Sequence, residues 1–305
     1  MAVVKEERQD HIEKVDAHHH LWRKADLPWL SGPMVPRIFG PYEPIRRDYL
    51  AGEYIAEARE CGIGRSVYVQ ANWPLERSVE EVKWLRDVHA EWGWPSAVIG
   101  SADLFDDRAG EVLREQAATT PLMRGTRLQL HWHERPEFRF ASGPDRMTDP
   151  VFLRNIGLLS DLGWVFELQV FAPQMREAAR FAARFPCTTF VLVHAGMPTG
   201  TGEATIAEWQ QGLSLLAELP NVVVKLTGQG TFVHKVDQDL IDVVTDTCLR
   251  LFGAARCLWG TNFPVEKIWT SLPPLVAAWE RSLSRYPGQT RRAVFSETAR
   301  RVYRL

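Results

Sequence analysis

The sequence predicts an α/β protein folded as a single (β/α)₈ barrel spanning residues 1–305, and three observations predict it. Eight short β-branched or apolar runs recur along the chain, and a stretch with helical spacing follows each of them. No Pro-, Gly- or Ser-rich linker and no repeat divides the sequence. Strict strand–helix alternation argues for a parallel sheet, and α/β barrels reach this length as one unit.

The first run, 15–20, reads Val-Asp-Ala-His-His-His; a long irregular segment, 21–48, separates it from the helical spacing of 49–61. The second run, 66–71, is followed by 79–91, and the third, 97–102, by 107–118. After the fourth run, 124–130, comes another long irregular segment, 131–149, and then the helix at 150–162. The remaining pairs are 165–170 with 174–185, 189–194 with 205–219, 222–226 with 238–252, and 257–260 with 272–285. Gly62, Gly163 and Gly253 stand directly after three of the helical stretches, where a left-handed cap is cheapest. Both long segments follow strands, the first and the fourth, and loops in that position carry function in barrels.

A hydrophobic content of 45% with 24% charged residues is that of a soluble globular protein. With 36 basic against 38 acidic residues, the net charge of -2 gives no reason to expect a nucleic-acid or membrane partner. The expected partner is a small-molecule substrate, with a homo-oligomer left open. Cys61, Cys187, Cys248 and Cys257 form no CxxC pair and sit in apolar contexts, which reads as reduced, buried thiols in the cytoplasm. The start, Met1 to Lys14, is charged and lacks the apolar stretch of a signal peptide. There is no GxSxG elbow, no glycine–lysine phosphate loop and no GxGxxG after a strand, which removes the commonest serine-hydrolase, nucleotidase and dehydrogenase readings.

In an extended strand residues two apart face one side, so His18 and His20 point together and His19 points away. Two neutral imidazoles at a strand end suit one side of a divalent-metal site, zinc first. The same parity at the other strand ends gives polar inward candidates at Gln70, Asp103, Arg127, Glu167, Gln169, His194, Lys225 and Asn262. Each alone is as well explained by a hydrogen-bonded barrel polar; their coincidence at one end of the strands points to a site. Arg124 has the opposite parity and reads as a structural ion-pair partner. His131, His133 and His234 read as loop histidines, and Trp22, Trp29, Trp73, Trp132 and Phe138 make an aromatic mouth.

These blocks carry a resemblance. Asp16-Ala17-His18-His19-His20-Leu21-Trp22 resembles the DxHxHxW opening of the amidohydrolase-2, or lactonase-like, family. Val69-Gln70-Ala71, Ser101-Ala102-Asp103-Leu104, Arg124-Gly125-Thr126-Arg127 and Phe166-Glu167-Leu168-Gln169 match the order of that family's blocks. So do Val193-His194-Ala195-Gly196, Lys225-Leu226-Thr227-Gly228, Trp259-Gly260-Thr261-Asn262-Phe263-Pro264 and Thr298-Ala299-Arg300-Arg301-Val302-Tyr303. The family includes L-fuconolactonase, L-rhamnonolactonase and 2-pyrone-4,6-dicarboxylate lactonase, with nonoxidative decarboxylases as more distant relatives. The resemblance implies hydrolysis, and an Asp in the last block as metal ligand or base.

Here that position is Asn262. An amide has no titratable proton near neutrality, so another group must take the proton. His194 is the first candidate, and Glu266, four residues beyond Asn262, the second. Arg127 suits a substrate carboxylate and Lys225 a developing oxyanion, with Gln70 and Gln169 as further substrate contacts. His18, His20 and Glu167 form the candidate metal set for one divalent ion, and metal-independent catalysis stays open. The expected function is opening of a lactone or related cyclic ester of a polar, anionic small molecule by activated water. The rivals are a nonoxidative decarboxylase on the same scaffold and a noncatalytic ligand-binding barrel.

Overall fold

The computed structural model describes residues 12–305, so most of the charged start, Met1 to Lys14, lies outside the described residues. Eight parallel strands form one sheet in chain order: β1 (Lys14–His19), β2 (Ile63–Val69), β3 (Ala97–Gly100), β4 (Met123–Gln129), β5 (Val165–Gln169), β6 (Phe190–Leu192), β7 (Val222–Leu226) and β8 (Cys257–Trp259). Parallel neighbours need crossovers, and helices supply them. They are α1 (Ala51–Glu60), α2 (Ser78–Trp92), α3 (Ala109–Thr119), α4 (Pro150–Leu162), α5 (Met175–Ala183), α6 (Glu203–Ala217), α7 (Gln238–Phe252) and α8 (Leu272–Ser284). The amides of Asn262 and His20 donate to the carbonyls of His18 and Phe263, both at 2.7 Å, and so tie the first strand to the segment after the last. The sheet is thereby a nearly closed (β/α)₈ barrel, with long loops after β1 and β4 as expected.

The helix α4 shows how sequence sets these elements. The Asp149 carboxylate accepts from the amides of Val151 (2.9 Å) and Phe152 (3.1 Å), and Gly163 ends the helix at φ +62°. Phe152, Asn155, Ile156 and Leu159 then fall on one face and are buried. Phe152 packs on Phe166 and Phe181, and burying such a ring stabilises the fold by roughly 1.5–3 kcal/mol.

A separate cluster fills the barrel, built by Val15, Ala17, Val67, Val69, Ala97, Ile99, Val165, Val191, Val223 and Leu258. Ala299 and Tyr303 belong to it as well. They come from the C-terminal helical segment that ends at Thr298–Tyr303, which periodicity alone did not single out and which plugs the barrel. Of the cysteines, Cys248 and Cys257 are buried and Cys61 is half-buried, but Cys187 is exposed, contrary to the expected burial. Among the described residues no helix is long and apolar enough to cross a membrane.

Candidate functional site

Val15 and Ala17 face the barrel interior, so strict alternation would send His19 inward and His18 outward. The structure does the reverse because β1 carries a register shift: Asp16 pairs with Ser66 and His19 with Tyr68, three steps against two. His19 stacks outside on Tyr54 with ring centroids 3.9 Å apart. Asp16 anchors the bulge: its carboxylate accepts from the Thr261 amide (2.9 Å) and hydroxyl (2.6 Å), the Tyr54 hydroxyl (2.8 Å) and the His18 amide (3.0 Å). Gly260 permits the close approach, since a Cβ there would sit 2.6 Å from the His18 amide nitrogen.

His194 also breaks parity. β6 stops at Leu192, and the next turn is left-handed, with φ of +54° at His194, +50° at Ala195, +75° at Gly196 and +53° at Met197. Left-handed backbone costs about 1–2 kcal/mol per non-glycine residue. This turn swings the His194 ring back over the barrel mouth, 4.8 Å between centroids from His18, itself 5.1 Å from His20. Asn262 is left-handed as well, at φ +59°.

The three imidazoles are wired through Nδ1. His20 Nδ1–H donates to the Val69 carbonyl at 2.7 Å, which leaves its Nε2 as the acceptor, and the Asn262 side chain hydrogen-bonds the same ring. His194 Nδ1 meets the Thr227 hydroxyl at 2.5 Å, leaving Nε2 for a ligand. His18 Nδ1 lies 3.5 Å from the Lys225 ammonium, and its Nε2 is buried without a partner. Burial, reinforced by the cations Arg127 and Lys225, holds His18 and His194 well below the usual imidazole value. Burial followed by Arg127 lowers His20 to about 3.

A cavity of about 530 Å³, open mouth included, lies over the His20 and His194 rings, while His18 is fully buried and does not line it. Of the sequence candidates, His20, Arg127, Gln169, His194 and Asn262 line it, together with Gln129, Trp22 and Trp29. Its lining contains two arginines and no carboxylate. Arg127 donates to the Gln70 carbonyl at 2.6 Å, and its Nε is buried and unpartnered.

Other candidates lie behind this wall. Val67 and Val69 are the inward residues of β2, so Gln70 falls on the wrong parity, and its side-chain oxygen accepts from the Asn72 amide at 2.6 Å. Lys225 and Glu167 are fully buried and paired at 2.5 Å, and Glu167 also accepts from the Tyr303 hydroxyl at 2.7 Å. Neither lines the cavity, and Glu167 Oε2 is buried without a partner. Burial lowers Lys225 to about 8. Glu266 is buried behind Asn262, accepting from its amide at 3.3 Å and from Trp269 Nε1 at 2.8 Å, and burial pushes it up to about 8. Asp103 faces outward and caps the Phe105 amide at 3.0 Å. Arg124 binds backbone carbonyls, Tyr303 at 2.7 Å among them, rather than a carboxylate. His131 is buried against Phe140 and Phe171, His133 packs on Phe138, and His234 stacks on Trp269. Of the expected aromatic mouth, only Trp22 and Trp29 line the cavity.

Arg37, Phe39, Asn72 and Thr231, which the strand parity does not single out, also line the cavity. Arg37 had a signal: it is the one charge in Met34-Val35-Pro36-Arg37-Ile38-Phe39-Gly40, inside a strand-end loop.

The donor set does not suit a divalent ion. An ammonium faces His18, Lys225 and Tyr303 both occupy Oε1 of Glu167 so that only its buried Oε2 is without a partner, and an amide stands at 262. Among the described residues no three His, Cys, Asp or Glu side chains are placed to hold a metal.

The sequence pattern of the amidohydrolase family matches residues 15–305. The chain belongs to the amidohydrolase family. It is an amidohydrolase-family hydrolase. It is 29% identical over 305 residues to an L-fucono-1,5-lactonase of Burkholderia multivorans, covering 96% of each chain. A crystal structure of an amidohydrolase from Burkholderia multivorans with bound zinc is similar at a TM-score of 0.80 and 28% identity, covering 96% of this chain and 99% of that one. A 5-carboxyvanillate decarboxylase from Sphingomonas paucimobilis, at 13% identity and a TM-score of 0.67 over 96% of this chain and 99% of that one, shares the fold.

Proposed function

We propose that the protein opens a lactone or related cyclic ester of a polar, anionic small molecule, using water activated by a histidine. The observation that carries this reading is the pairing of neutral imidazoles with a buried guanidinium in a cavity whose lining has no carboxylate.

His194 Nε2 takes a proton from water as the oxygen adds to the lactone carbonyl. The carbonyl oxygen becomes an oxyanion held by Arg127, in the role first given to Lys225. Collapse breaks the ring C–O bond, and the departing alkoxide takes the proton back from His194. Asn262, fixed by Glu266 and His20, orients the water through its side-chain oxygen, and Gln169 hydrogen-bonds the substrate. No step is routed through a metal, because the donor set does not suit one. The related L-fucono-1,5-lactonase supports the lactone class. Decarboxylation is the poorer reading, since histidines held neutral carry no proton to deliver to carbon.

The test is titration of product acid at constant pH over a panel of γ- and δ-lactones, with carbon dioxide measured in parallel on aromatic and enol carboxylates. One proton released per lactone, without carbon dioxide, is expected. Carbon dioxide release with no lactone opened overturns the proposal.

A further inference from the structure

We propose that Arg37, on the long loop after β1, is a specificity residue that binds a carboxylate on the part of the substrate remote from the reacting carbonyl. This deepens the lactone-hydrolase reading and rests on it for the identity of the reacting end.

Arg37 and Arg127 are the two cations in the lining, and they differ in burial, Arg127 being buried and Arg37 half-buried. Arg127 belongs to β4, is 3% exposed, and is the foremost charge acting on both His20 and His194, which places it at the reacting end. Arg37 belongs to the loop over the mouth. The two guanidiniums line the same cavity, and after burial they are the charges that disfavour the charged form of His131. Neither makes an ion pair among the described residues, and the Nε of each is buried without a partner. Arg37 is half-buried with a buried, unpartnered Nε and no carboxylate among the groups acting on it, so it is complementary to an anion.

The loop holds Arg37 ready. Its guanidinium lies over the Trp29 ring, 5.4 Å from the centroid, and is hydrogen-bonded to the Tyr42 side chain. Fully buried Tyr42 in turn accepts from the Val35 amide at 3.1 Å and donates to the Trp29 carbonyl at 3.2 Å. Trp29 and Phe39 pack edge to face and both line the cavity beside Arg37. A ring therefore rests on the aromatic wall while its carboxylate meets Arg37.

The experiment uses a matched pair of non-hydrolysable rings, tetrahydropyran-2-carboxylate and tetrahydropyran-2-carboxamide. Binding is read from tryptophan fluorescence, since Trp22 and Trp29 line the cavity. The wild type should prefer the carboxylate. Arg37→Gln should weaken carboxylate binding about ten- to hundredfold, the share of one charge-assisted hydrogen bond, and change amide binding less than about twofold. Arg37→Lys should restore part of the difference. With carboxylated lactones the loss in Arg37→Gln should fall on KM. Equal effects on both ligands, or binding of neither, overturns the inference. If the carboxylate contrast holds but the wild type opens no lactone, the lactonase reading fails and the Arg37 site stands. If lactones are opened but the contrast is missing, the Arg37 site alone fails.

Discussion

Replacing His194 by alanine lowers kcat for lactone opening by roughly 10²–10⁴, the usual share of general acid–base catalysis. His194 reaches the cavity only through a left-handed turn, with Nδ1 fixed by the Thr227 hydroxyl and Nε2 left to face water. Its charged form is disfavoured by burial and by Arg127, so the base is neutral well below the ordinary imidazole value. The sign of the pH dependence follows: the acidic limb of kcat/KM should lie below pH 6.5, because a base must lose its proton before it can act. Steady-state kinetics of the folded variant, followed across pH, checks both statements. An effect confined to KM would remove His194 from proton transfer.

Lys225→Met should destabilise the fold by about 3–5 kcal/mol, the cost of leaving one buried charge without its partner. The substitution strips the ammonium from Glu167, which is fully buried and keeps only the Tyr303 hydroxyl, its second oxygen having no partner. Burial has already lowered Lys225 to about 8, so the cation is held in place by Glu167 rather than by solvent. The double variant Lys225→Met with Glu167→Gln should recover much of the loss, because no charge is then stranded. Urea unfolding of the three proteins measures this. A loss under about 1 kcal/mol in the single variant would mean that the pair does not support the barrel floor.

The barrel was legible in the sequence because each strand is short, apolar and followed by a helix, so period and punctuation agree along the whole chain. The site was legible where residue type alone sufficed. His18, His20 and His194 cluster ring against ring, yet two local irregularities bring them together, a bulge in β1 and the turn after β6, and alternation contains neither. Gln70 shows the reverse failure: extending the second strand two residues past Val69 placed a loop residue on the wrong face. Lys225 and Glu167 were rightly read as inward, but parity cannot tell the mouth from the floor, and the Tyr303 hydroxyl that completes their cluster comes from the far end of the chain. Arg37 was hidden because a loop residue has no period to betray its direction.

The central claim is that water is activated by a histidine in a cationic cavity, and the most direct measurement is lactone hydrolysis by protein stripped with a strong chelator, with metal content determined on the same sample. The account predicts one proton released per lactone at a rate unchanged by stripping, with metal well below one equivalent. Activity lost on stripping and restored in proportion to added zinc would contradict it.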